Sequence, residues 1–125
     1  MSVAVAERTG GGAGGGGGEL RTLLYEFTYI DGVVDFGTLI ANDLVIETRI
    51  TITVIFNDAA ATVSIGPVSN PDSLLATNQT NPQVARDYIT EQDFKAAGAD
   101  SMRLKISPGT STQGAGRALI VFRRV

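Results

Sequence analysis

Residues 44–66 read LVIETRITITVIFNDAAATVSIG. From Ile46 the stretch alternates: Ile46, Thr48, Ile50, Ile52, Val54 and Phe56 share one face, and Glu47, Arg49, Thr51, Thr53 and Ile55 share the other. A period of two, filled with β-branched residues, is that of a half-buried β-strand. Asn57-Asp58 follows with turn chemistry, because both side chains can bond nearby backbone and tolerate left-handed dihedrals. The alternation resumes from Thr62 to Ile65 and stops at Gly66-Pro67. The stretch is expected to form the central antiparallel pair of a sheet. A straight strand over 44–56 would run to roughly 40 Å, long for a small domain, so a bend or bulge is expected near residues 47–49.

Working towards the N-terminus, Leu23, Tyr25, Phe27 and Tyr29 share a face, Asp31-Gly32 is a hairpin signal, and Val33 to Ile40 continues as strand. This predicts a three-stranded meander over 20–56. Residues 10–18, GGGAGGGGG, read as a linker. They match G-x-G-x-x-G only trivially: no Gly-Lys-Ser/Thr opens a helix, and the next residues read as strand. Val3 and Val5 alternate with small residues before the tract. They form either a disordered tail or a strand that adds to the sheet edge of a partner, and Val3 and Val5 are the expected partner-binding residues of such an arm.

Towards the C-terminus, Gly66-Pro67, Asn70-Pro71 and Asn81-Pro82 punctuate a long connection that Leu74 and Leu75 anchor. Asn78-Gln79-Thr80 is formally a glycosylation sequon, which needs secretion to matter. Residues 84–90 are a candidate short strand. Thr90-Glu91-Gln92-Asp93 resembles a capping box, so either a helix of at most two turns or a loop anchored by Phe94 is expected next. Met102, Leu104 and Ile106 alternate with Arg103 and Lys105. SPGTSTQGAG at 107–116 reads as a wide polar hairpin loop, and Thr110, Ser111, Thr112 and Gln113 are its displayed residues. Residues 117–125 are apolar on both faces, as a central strand or an interface would be. Leu119, Val121 and Phe122 are the expected subunit-interface residues. Seven or eight short strands with little helix predict an all-β protein: an antiparallel sandwich or jelly roll over 19–125, preceded by a glycine-rich extended arm over 1–18.

Composition narrows the chemistry. The 125 residues contain no cysteine and no histidine. Disulfides, thiolate metal sites, histidine bases and Ser-His or Cys-His nucleophiles are thereby excluded. Paired carboxylates remain: Asp31 with Asp35, and Asp87 with Glu91 and Asp93. Turn roles explain most of the aspartates, and no D-x-D-x-D-G spacing marks a calcium loop. The reading is therefore no enzyme, no catalytic residue, no cofactor and no metal centre. A net charge of −3, with Arg123-Arg124 the one basic pair, gives no nucleic-acid footprint. No apolar run approaches the ~20 residues of a membrane span, and the first residues lack a secretory pattern.

ITVIF at 52–56, Asn57-Asp58, VSIG at 63–66, PDSLL at 71–75 and GTSTQGAGRALIVF at 109–122 together resemble the compact β-sandwich modules of tailed-phage virions: head decoration proteins, head fibres and tail-fibre or tail-needle knobs. The resemblance covers residues 44–125 and carries no site residue. It implies a structural virion protein, made in the host cytoplasm, that binds capsid or other virion proteins, and it implies a homotrimer. A capsid decoration or cement protein is the expected role. A fibre knob binding a host receptor or glycan, or a non-viral carbohydrate-binding sandwich, are the alternatives.

Overall fold

The strand that is apolar on both faces lies at the centre of the larger sheet. The computed structural model describes residues 4–9 and 19–124. The described residues form eight strands: β1 (Ala4–Thr9), β2 (Glu19–Thr28), β3 (Val33–Leu39), β4 (Leu44–Val54), β5 (Thr62–Pro67), β6 (Asp87–Lys95), β7 (Asp100–Ser107) and β8 (Ala115–Arg124). One sheet has the order β1-β2-β8-β4-β6 and the other β3-β7-β5; every pairing is antiparallel. From β2 onward each connection leaves one sheet and enters the other. This is jelly-roll wiring, with the second sheet one strand short. In place of the missing strand, the segment around Leu75 makes a single bridge to Ile65.

This topology corrects several expectations. The predicted central pair is split, because β4 and β5 lie in different sheets. The meander over 20–56 does not form. Asp31-Gly32 turns the chain from one sheet to the other, with Asp31 accepting the Thr28 amide at 2.7 Å. Residues 108–114 likewise link sheets and do not close a hairpin. Thr90 to Asp93 sits inside β6, where long-range pairing with β4 overrides the local capping signal.

β4 does bulge, at Ile46: pairing on both sides slips between Val45 and Glu47. The extra residue reverses the alternation, so Val45 packs inward before the bulge and Thr48, Ile50 and Ile52 after it. A second slip against β8 lies between Ile52 and Val54; Val54 turns outward and Phe56 returns to the core.

The core fills the space between the sheets with Phe27, Phe36, Phe56, Phe122, Ile50 and Leu104, all fully buried. Each such side chain contributes roughly 1.5–3 kcal/mol by leaving water. Gly116 lets β8 sit close to its neighbours, since a Cβ there would strike the Thr51 carbonyl oxygen and the Phe27 ring. At the open margin, the carbonyl of Leu74 accepts bonds from Thr48 Oγ1 (3.3 Å), Thr90 Oγ1 (2.9 Å) and Gln92 Nε2. Those three polar side chains staple the connection between β5 and β6 across the gap left by the missing strand. Segment 70–72 covers the outside of β5: Ser64 donates to Asp72 at 2.7 Å.

Candidate functional site

The outer face of the larger sheet is built in rows by strand register. Opposite Leu119 of β8 lie Leu24 of β2 and Arg49 of β4, and Arg49 in turn opposes Ile89 of β6. The adjacent row joins Thr22, Val121, Glu47 and Glu91 by the same pairings. Leu24, Leu119 and Val121 are half-buried and Ile89 is 49% exposed. Rows with Glu26 and Arg117 above, and Arg123 and Lys95 below, frame this apolar strip with charge. Arg49 is held to Glu47 at 3.0 Å, which keeps its guanidinium beside the strip.

Of the three expected interface residues, Leu119 and Val121 point outward onto this strip. Phe122 does not. It has the opposite parity on β8 and is fully buried between the sheets, so it is a core residue. Val5 is opposite Leu24 in the β1–β2 pairing. Val3 and the glycine tract 10–18 lie outside the described residues.

The end of the sandwich where β8 begins carries the loop 108–114, and its neighbour 55–60 holds it in place. Asp58 Oδ2 accepts from the Thr110 amide at 2.6 Å and the Thr110 hydroxyl at 3.1 Å. Asn57 both donates to and accepts from Thr112, each at 2.8 Å. Gln113 donates to the Ile55 carbonyl at 3.0 Å. Bonds from the amides of Ala60 and Thr110, and from the Thr110 hydroxyl, hold the Asp58 carboxyl below the ordinary carboxylate range. Thr110, Thr112 and Gln113 are exposed. Ser111 is not: it is 8% exposed, tucked beneath the loop. Ile30 (71% exposed), Val54 and Val84 surround this end.

At the opposite end, Asp43 and Arg124 form a two-bond ion pair of 3.0 and 2.8 Å. Asp43 also accepts the Ile40 amide at 2.9 Å, capping the turn that Asn42 makes with a φ of 73°. Burial pushes the Asp43 carboxyl up, but the bonds from Arg124 and Ile40 and the charges of Arg124 and Arg21 outweigh it and lower the pKa.

The paired carboxylates have structural partners. Asp31 caps a turn, Asp35 holds Arg103 at 2.8 Å, and Asp87 accepts from Thr51 at 2.6 Å. Glu91 and Asp93 lie exposed on the outer side of β6. Among the described residues no group of three His, Cys, Asp or Glu could hold a metal ion, and no helix is long and apolar enough to cross a membrane. The arrangement offers surfaces for contact: one apolar strip framed by charge, and one end with a braced polar loop.

The architecture is that of an all-β jelly-roll module. The chain is similar in structure to a chain in the cyanophage Pam1 capsid asymmetric unit, with a TM-score of 0.72, 14% identity and 94% of each chain covered. It is also similar to a chain in the acid-stable capsid of the Helicobacter pylori bacteriophage KHP30, with a TM-score of 0.66, 10% identity, and 99% of this chain and 92% of that one covered. At such identities the likeness is one of fold. No protein-family model matches the sequence, and no curated protein matches it.

Proposed function

We propose that this protein is a structural component of a phage virion, a capsid decoration or cement protein that binds the head surface as an oligomer, most simply a trimer. The observation that carries the reading is the end-to-end likeness to chains found in two phage capsids, which extends over at least 92% of each of those chains. The likeness thus spans nearly the full length of each of those two chains. The outer-face strip gives such a protein its means of association. Leu24, Leu119 and Val121 present apolar area too small for a stable core of its own but suited to packing against other subunits. Contacts of this kind cement a shell by adding buried area across joints, with no chemical step.

The test is addition of the purified protein to heads that lack it. Co-sedimentation at a fixed number of copies per head, with a raised temperature of head disruption, is the expected result. Binding to host cells with inhibition of adsorption, and no binding to heads, would replace the decoration role with that of a fibre knob. Binding to glycans alone would point to a carbohydrate-binding module.

A further inference from the structure

On the outer face of the larger sheet, β8 and β6 flank β4 and present two columns of side chains at the same levels. Thr51 opposes Arg117 on one side and Asp87 on the other; Arg49 opposes Leu119 and Ile89; Glu47 opposes Val121 and Glu91. Down β8 the outward residues run cation, apolar, apolar. Down β6 they run acid, apolar, acid. Arg117, Asp87, Ile89 and Glu91 are exposed and Leu119 is half-buried. Arg117 has no ion-pair partner among the described residues. Asp87 accepts the Thr51 hydroxyl at 2.6 Å and has no cation beside it among those residues. The two columns stand two strand spacings apart, about 9.6 Å, and complement each other without meeting.

Resting on the oligomeric reading above, we propose that subunits associate through a non-reciprocal contact: the β8 column of one copy takes the β6 column of the next, Arg117 against Asp87 and Leu119 against Ile89. Both strands run antiparallel to β4 and so point the same way. Rotation about an axis parallel to the strands keeps their rows level. Residues that share a row in one subunit therefore face each other across the joint. Contact between two different patches closes into a ring when the rotation closes. β6 is the rim strand of its sheet, so its side chains can meet a neighbour's face at an angle, as a ring of few copies requires. Arg117 and Asp87 fix the register and the choice of partner surface more than they add affinity. The fourth row sets Arg123 against Lys95, so the first two rows carry the contact. A two-fold that laid β8 on β8 with Leu119 facing Val121 would instead set Arg117 against Arg123 at both ends.

The chain has no cysteine, so an introduced pair reports cleanly. The full chain carrying Leu119→Cys and Ile89→Cys is oxidised while oligomeric and run denatured without reductant. Within one subunit these positions lie about 9.6 Å apart, beyond the ~6.8 Å that a disulfide spans, so a link joins two copies. A covalent ladder ending at the copy number of the ring is expected, with no linked species from either single variant. Efficient linking of the Leu119→Cys variant alone would show a two-fold face and overturn the contact. So would a double variant that stays unlinked while the wild type sediments as an oligomer. Arg117→Asp should raise the concentration of half-dissociation about tenfold, because like charges then face each other, and adding Asp87→Arg in the same chain should restore it. A double charge variant as weak as the single one would also sink the pairing. A wild type that stays monomeric would remove the ring and the oligomer together, whereas head binding, measured separately, decides the decoration role.

Discussion

The carboxylate of Asp43, 1% exposed, meets the guanidinium of Arg124 through two hydrogen bonds, joining the turn before β4 to the last residue of β8. The guanidinium also stands 5.4 Å from the centre of the Phe122 ring. This pair closes one end of the sandwich, where a buried charge, a backbone cap and an aromatic face share one arginine.

Removing the arginine leaves that carboxylate buried with the Ile40 amide and the charge of Arg21. Arg124→Met should cost about 2–3 kcal/mol in a denaturant melt. Because folding lowers the Asp43 pKa, its contribution is complete above the ordinary carboxylate range near 4 and is lost as the pH falls through the depressed folded value. The stability gap between wild type and Asp43→Asn should therefore narrow on acidification below about pH 4. A gap that stays constant down to pH 2 would show that the pair contributes through shape alone.

Gly116→Ala should destabilise by about 3 kcal/mol or prevent folding, because the added Cβ meets the backbone carbonyl of Thr51 as well as the Phe27 ring. Gly98→Ala is the control: nothing lies within 4 Å of a Cβ there. Equal melting of the two variants would mean that β4 and β8 can move apart without loss.

Phe122 and Val121 are neighbours on opposite faces of β8, and substitutions should separate their roles. Phe122→Ala should cost about 3–5 kcal/mol of stability. Val121→Asp should change the melt by under about 1 kcal/mol yet shift sedimentation towards smaller species, since it places a carboxylate on the strip beside Glu47. A Val121→Asp protein that sediments like wild type would remove the outer face from the assembly.

Asp58→Ala should leave global melting nearly unchanged while amide exchange at Thr110 and Thr112 rises at least tenfold, because the loop loses two of its clasps. Acidification should do the same reversibly. The lowered Asp58 pKa places this loosening below the ordinary carboxylate range. Exchange rates indifferent to both changes would mean that Asn57 and Gln113 suffice to hold the loop.

Much of the layering was legible in the sequence. Met102, Leu104 and Ile106 point inward as their alternation requires, and β-branched density marked β4 and β5. Partner choice was not legible. Asp31-Gly32 has the same chemistry whether its flanking strands pair or part into two sheets, and only the packing of the distant β8 decides between them. The bulge at Ile46 was foreshadowed by strand length, but which residue would be extra depends on register against β6 and β8. Phe122 looked like an interface residue because Val121 beside it is apolar too. A strand half-covered on its outer face and fully covered on its inner one reads as apolar throughout. Capping chemistry at Thr90 was present and powerless, since a single local signal yields to seven residues of β6 paired with β4.

The last strand of the chain occupies the middle of the five-stranded sheet, between β2 and β4. Until β8 arrives, β2 and β4 have no common neighbour, and no pair of consecutive strands from β2 onward can zip into a hairpin and wait. A nascent chain released only as far as residue 114 can therefore pair β4 with β6 and assemble β3, β7 and β5, but the larger sheet stays split between β2 and β4. Its nucleus must join segments up to a hundred residues apart. Such a topology places refolding in the slow range of small β proteins, milliseconds to seconds. During that interval the exposed edges depend on dilution or chaperones to avoid pairing with the wrong chain.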